Sequence, residues 1–263
     1  IIPGSKSFCR ITCTLYGSLS FTGKGHHTDK AILHGMAGII PSTYNEKIGV
    51  EIDKEISKYD HITVKGFPEI KFYPSRDIIF NYGPALKQHA NGMIFSVYDR
   101  DENLCATQTY FSVGGGFIKT IKELENPSKV VIDKKVPYPF STADEMLDLS
   151  KKHKISISEM KRQNELVFIS EEKLKKGISE LWNTMSNSIN YGLKRDGILP
   201  GGLNVRRRAK SIFDSLNSEI GSNTIAPHII NDWISLYAMA VNEENAAGGK
   251  IVTAPTNGAA GVI

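Results

Sequence analysis

Near residue 135 the spacing of apolar residues changes from every second position to every third or fourth, so one part of the chain reads as strands and the other as helices. Before the change, Phe8 to Tyr16 alternate like a strand, with Cys9, Ile11, Cys13 and Leu15 on one face. Short strand-like runs follow at 62–64, 70–73 and 78–80, broken by Pro68 and Pro74. Met93, Phe95 and Val97 alternate, residues 99–103 supply turn chemistry, and 105–111 return as a second strand of a hairpin. Thr28 or Asp29 can cap a short helix through Ala31, Ile32, Leu33 and Met36, closed by Gly38 and Pro41. Beyond the polar segment 123–135, punctuated by Pro127, Pro137 and Pro139, Thr142 and Glu145 form a capping box. Helical spacing then runs through 156–168, 171–193, 205–216 and 230–247. The expected fold is α+β overall: a mixed α/β domain over 1–135, then a mostly helical, incomplete catalytic domain over 136–263.

With 40% hydrophobic and 23% charged residues in 263, the chain has the make-up of an ordinary globular protein. Its net charge of +4 is spread over scattered lysines, which argues against nucleic acid as a partner. No apolar run approaches the roughly 20 residues that cross a bilayer, so no membrane partner is expected either. Cysteine is confined to Cys9, Cys13 and Cys105, without a CxxC, which suits a reducing compartment and a cytoplasmic location. Cys9 and Cys13 read as small buried hydrophobes, poor candidates for metal ligands. The chain starts at Ile1 rather than Met, and the polar cluster over 242–258 stops without a terminating element. An internal piece of a longer protein, open at both ends, is therefore expected.

Chemistry concentrates in a few strings. In Thr22-Gly23-Lys24-Gly25-His26-His27-Thr28-Asp29 the glycines let backbone amides approach an anion, and the loop opens a helix whose N-terminus favours a neutral, proton-accepting imidazole. The same string also fits a tight strand-to-helix turn with solvated histidines. Gly114-Gly115-Gly116 after a strand reads either as a ligand-facing backbone turn or as a plain bulge. His89 and Asn91 stand just before the strand at Met93. Arg206, Arg207 and Arg208 are expected to open a helix and to be held by an acidic partner within the fold. The polar run Asn242 to Asn245 ends an otherwise apolar helix, so its side chains need a network or a ligand.

These strings together resemble the iron-sulfur-dependent bacterial L-serine dehydratases, or L-serine ammonia-lyases. The resemblance runs through nearly the whole chain. It is carried by Tyr16-Gly17-Ser18-Leu19-Ser20 with residues 22–29, by His89-Ala90-Asn91-Gly92-Met93, and by Gly114-Gly115-Gly116-Phe117. Val136-Pro137-Tyr138-Pro139-Phe140, Gln163-Asn164-Glu165, Leu199-Pro200-Gly201, residues 241–249 and residues 253–258 complete it. It implies a beta-chain-like domain followed by an alpha-chain-like helical domain that holds a four-iron four-sulfur cluster. That cluster would act as Lewis acid on the serine hydroxyl, without pyridoxal phosphate.

The implied reaction takes L-serine to pyruvate and ammonia, in serine catabolism and gluconeogenesis, in an enzyme that forms a homodimer. The resemblance carries the base role onto His27, with His89 as the second catalytic histidine. Lys24, His26, Thr28, Asn91, Gly114, Gly115, Asn245, Thr256 and Asn257 become the expected substrate contacts. Departures accompany it. A Ser-Ser-His-Thr segment is expected before Ile1 and two cluster-cysteine motifs after Ile263, and Ala260 stands where the family has a cluster cysteine. No residue of this chain is therefore assigned as a metal ligand, and the chain by itself is expected not to hold the cluster. Two other readings stand beside this one: a cluster-less, inactive or amino-acid-binding remnant, and a pyridoxal-phosphate dehydratase with Gly114 to Gly116 as its phosphate loop.

Overall fold

The computed structural model describes residues 8–63, 69–126, 135–200, 203–219 and 229–253. They belong to two compact units, one of residues 1–127 with 187–263 and one of residues 128–186. In chain order the larger unit begins with β1 (Arg10–Leu15), α1 (Ser18–Phe21), α2 (Thr28–Met36), α3 (Glu46–Tyr59), β2 (His61–Ile62), β3 (Ile70–Lys71) and α4 (Pro74–Asp77). It continues through β4 (Ile78–Phe80), β5 (Gly92–Tyr98), β6 (Leu104–Ser112), β7 (Ile118–Thr120) and α5 (Ile121–Glu125). α6 (Ala143–His153) and α7 (Ile157–Glu165) lie in the smaller unit, whose boundary falls within α8 (Glu171–Lys194). α9 (Ala209–Glu219) and α10 (Ile229–Ala246) return to the larger one. The fold is α+β. No helix among the described residues is long and apolar enough to cross a membrane.

The described strands make one mixed sheet in the order β2-β3-β1-β5-β6-β7, with β4 also pairing β1. β5 runs antiparallel to β1 with Cys13 opposite Phe95, while β3 and β4 lie parallel to it along the other edge. The period-2 pattern of β1 puts Cys13 and Leu15 on the buried face, against Ile32 and Leu33 of α2, Ile56 of α3, and Phe72 and Ile78. Each such side chain contributes roughly 1.5–3 kcal/mol by leaving water, so α2 and α3 are fixed across this face. Burial pushes the Cys13 thiol up to about 12. Cys9 departs from its expected burial: it is only half-buried, and its thiol donates to the Asp99 carbonyl at 2.9 Å.

The alternation reading passes over α3 altogether. Its signals are local: the Asn45 side chain accepts from the Lys47 amide at 2.9 Å, and Ile52 and Ile56 recur at i, i+4 against the sheet. The strand-to-glycine segment also holds more structure than a loop, since α1 and a 3-10 turn at Lys24–His26 occupy it. Gly114, Gly115 and Gly116, all at positive φ, form the exposed tip of the β6–β7 hairpin, where the Phe117 amide bonds the Gly114 carbonyl. A Cβ added at Gly114 or Gly116 would touch nothing within 4 Å. The glycines serve the left-handed turn itself.

Asp77 closes α4 beneath the sheet edge and is fully buried. Its carboxylate accepts from Arg10 at 2.8 and 3.0 Å, from Arg76 at 3.0 Å and from the Tyr73 amide at 2.8 Å. Burial alone would raise this carboxyl, but the bonds from Arg76, Tyr73 and Arg10 outweigh it and hold the pKa below the usual aspartate value. The stability Asp77 contributes is thus complete above about pH 4, the unfolded value, and is lost as pH falls through the lower folded one. Urea midpoints of wild type and Asp77→Asn are expected to differ most at neutral pH and to converge on acidification. A gap that stays constant from neutral to acid would contradict this.

In the smaller unit, the Thr142–Glu145 capping box forms as the sequence indicates. The Asn164 side chain clasps Tyr138 through both its backbone amide at 2.9 Å and its carbonyl at 2.7 Å, joining two of the strings singled out above. The helical part of the larger unit packs Leu193 of α8, Ala209 and Leu216 of α9, and Leu236 and Ala240 of α10 around one core. α8 and α10 touch backbone to backbone there: a Cβ at Gly192 would stand 2.3 Å from the Ala240 carbonyl oxygen.

Candidate active site

Arg206 to Arg208 do not open a helix. Arg206 pairs with Ile198 in an isolated bridge, and α9 begins only at Ala209. For the Arg207 side chain the expected acidic partner comes from α10. Arg207 bonds Glu244 at 2.7 Å, and Glu243 accepts from the Arg208 amide at 2.7 Å. Glu243 and Glu244 are both buried, and Arg195 joins Glu244 at 3.0 Å to Glu46, at the start of α3, at 2.8 Å. This ion-pair chain ties the end of α10 to the sheet-covering helices. Of the polar run over 242–245, Glu243 and Glu244 are buried and find this network, while Asn242 and Asn245 are exposed.

Between α2, α3 and the turn after α10 lies a cleft of about 470 Å³. His26, His27, Lys30 and His34 line it from one side, Tyr44, Glu46 and Asp53 from another, and Asn245, Gly248, Gly249 and Lys250 from the third. His27 stands at the N-cap of α2 with φ 55, a left-handed conformation uncommon outside glycine. Such a backbone persists only where its surroundings hold it. The His27 carbonyl accepts the first helical bond from Ala31 at 2.9 Å, and the Thr28 amide bonds back to Gly23.

The imidazole Nε2 of His27 lies 3.3 Å from the Ala246 carbonyl. A carbonyl can only accept, so Nε2 carries a proton, and in the neutral ring the lone pair is on Nδ1. By the same logic His26 donates from Nδ1 to the Thr22 carbonyl at 2.9 Å. Deeper in the cleft, His34 is buried and bonds Asp53 at 2.9 Å, while Lys30 reaches the other Asp53 oxygen at 3.5 Å. Tyr44 stacks on His34 and donates its hydroxyl to the Gly248 carbonyl at 3.2 Å. Burial first, then the charges of Glu46 and Asp53, push this phenol above its ordinary value.

Of the residues named from sequence, His26, His27 and Asn245 line the cleft. Lys24 lies over the Phe80 ring at 5.4 Å, and Thr28 is the first residue of α2; neither lines the cleft. His89 accepts the Asn91 amide at 3.0 Å on Nδ1, packs edge-on against Phe111, and is not among the lining residues. Asn91 Oδ1 is buried without a hydrogen-bond partner among the described residues. Gly114 and Gly115 sit at the hairpin tip described above. Thr256, Asn257 and Ala260 lie outside the described residues. The sequence reading missed His34, Tyr44 and Asp53, all of which depend on α3; Asn45 and the i, i+4 isoleucines were the available signal.

Residues 4–123 match the family described as serine dehydratase beta chain, and residues 143–263 the one described as serine dehydratase alpha chain. The chain is 42% identical to an L-serine dehydratase of Streptomyces coelicolor over 258 residues, 98% of this chain and 56% of that protein. It is 39% identical to L-serine dehydratase 1 of Escherichia coli over 259 residues, 98% of this chain and 56% of that protein. The L-serine dehydratase of Mycobacterium tuberculosis is 40% identical over 249 residues, covering 95% of this chain and 53% of its own length. The chain thus spans about half the length of the curated relatives it matches. With beta-chain and alpha-chain segments following one another along it, and with relatives of that name aligned across nearly all of it, the chain belongs to the serine dehydratase family.

Proposed function

We propose that this chain supplies the substrate cleft and the proton-transfer base of an L-serine dehydratase, which converts L-serine to pyruvate and ammonia. One observation carries the reading. The His26-His27 string of the beta-chain segment and the Asn245 to Lys250 string of the alpha-chain segment meet around a single cleft. That cleft presents cations at Lys30 and Lys250 and carboxylates at Glu46 and Asp53, charges of both signs that complement an amino-acid zwitterion. We read the chain as a beta-chain-like part up to about residue 135 and the start of an alpha-chain-like part after it, and we place it in the cytoplasm on its cysteine usage.

His27 acts as the base. Its Nδ1 lone pair takes the α-hydrogen of serine as a proton, and the electron pair left on Cα becomes the Cα–Cβ double bond as the Cβ–O bond breaks. The proton held on His27 balances the departing hydroxide as water. The aminoacrylate so formed tautomerises to an imine, which water hydrolyses to pyruvate and ammonia. Family resemblance implies an iron-sulfur cluster in such enzymes, but the described residues do not fit one. Cys13 is sealed in the sheet core, Cys9 is bonded to a carbonyl, Cys105 lies exposed on β6, and no group of three or more metal-binding side chains occurs among the described residues.

The test is a coupled pyruvate assay on the full gene product, purified without air. Pyruvate and ammonia should form from L-serine in equal amounts. Absence of both, from a preparation that is folded and carries its metal, would reject the activity.

A further inference from the structure

We propose that Tyr44 is a positioning residue for His27, acting through the turn that follows α10. This rests on the reading of His27 as the base. Tyr44 belongs to residues 37–45, the connection between α2 and α3, and that connection grips the turn at more than one point. The Tyr44 hydroxyl donates to the Gly248 carbonyl at 3.2 Å, and Lys250 Nζ donates to the Ser42 carbonyl at 2.7 Å. On its far side the turn meets His27. Gly248, at φ 82, reverses the chain, and a Cβ there would stand 3.7 Å from His27 Cδ2. The Ala246 carbonyl, two residues away, accepts a hydrogen bond from His27 Nε2 at 3.3 Å. The carbonyl that sets the His27 tautomer is therefore held in place by the carbonyl that Tyr44 pins.

Tyr44 is itself braced. Its ring stacks on His34 at 5.7 Å between centroids and 26° between planes, and His34 is fixed by Asp53 at 2.9 Å. Gly49 of α3 makes room for the stack: a Cβ there would come 2.9 Å from His34 Cε1 and 3.1 Å from Tyr44 Cε2. A tyrosine that only filled space would have no use for its hydroxyl. The upward push that burial and neighbouring carboxylates give this phenol keeps it a proton donor.

The experiment pairs nitrogen NMR of histidine-labelled protein with steady-state kinetics, on wild type, Tyr44→Phe and His27→Ala, all as the full gene product. In wild type, the His27 signals should show Nε2 protonated and Nδ1 bare. Tyr44→Phe removes one oxygen and leaves the stack. It should give mixed His27 tautomers and lower kcat about 10- to 100-fold with KM nearly unchanged, the scale on which small misplacements of a reacting group act. Gly49→Ala pushes on the same stack from α3 and should give the same signature; it serves if Tyr44→Phe fails to fold. Unaltered His27 signals with wild-type kcat would overturn the proposal. The two readings fail separately. Tyr44→Phe disturbing the imidazole while His27→Ala stays active would keep the positioning and reject the base. His27→Ala inactive, with Tyr44→Phe leaving the imidazole unchanged, would do the reverse.

Discussion

Glu244→Ala is expected to destabilise the protein by about 3–5 kcal/mol, the cost of leaving a buried charge without its partner. Glu244 is buried at 1% exposure, and its two oxygens are divided between Arg207 at 2.7 Å and Arg195 at 3.0 Å. Arg207 is itself buried, so the truncated protein would keep a guanidinium in the core of the helical region with neither carboxylate nor water to answer it. Arg195 would retain Glu46 and lose only its tie to α10. Glu244→Gln keeps the shape and an acceptor oxygen and should fall between. Chemical denaturation of the three proteins at neutral pH measures this; a loss below about 1 kcal/mol for alanine, the scale of an exposed pair, would mean that the Arg207 site hydrates.

His27→Ala should reduce kcat for pyruvate formation by about 10²- to 10⁴-fold, the range over which a positioned general base acts. A backbone effect could mimic part of this, because residue 27 sits at positive φ, where most side chains are disfavoured. His27→Asn is the control: asparagine tolerates the left-handed region yet cannot accept a proton at neutral pH. Both variants should lose activity alike while keeping wild-type thermal midpoints to within a few degrees. An active asparagine variant would remove His27 from the chemistry.

How much of this was legible beforehand depended on whether the relevant signal was local. The β5–β6 hairpin reads directly because alternation on both strands brackets an Asp-rich turn, and the Thr142 capping box reads because its partners are three residues apart. α3 escaped because Ile48 and Val50 on its exposed side blur the buried stripe of Ile52 and Ile56. With it went Tyr44, Asp53 and half the cleft wall, since their meeting with His34 and Gly248 is a matter of tertiary packing. The arginines at 206–208 show a mixed outcome. Charge logic foretold an acidic partner, and Glu244 provides it for Arg207, yet the same residues were misread as the first turn of a helix. Glu243 accepts from the Arg208 and Ala209 amides, so a carboxylate distant in sequence does the capping that a local residue usually does. The glycine run at 114–116 is permissive in sequence for either a cradle or a turn, and only the pairing of β6 with β7 decides for the turn.

The close approach of α8 and α10 also sets how this gene can drift. Every single-base change in a glycine codon that alters the residue adds at least a methyl group, and at position 192 even that methyl would land on the Ala240 carbonyl, so the codon is locked as long as the two helices cross there. Fifteen residues earlier on the same helix, Gly177 has nothing within 4 Å of its added Cβ, and a neutral lineage can replace it freely.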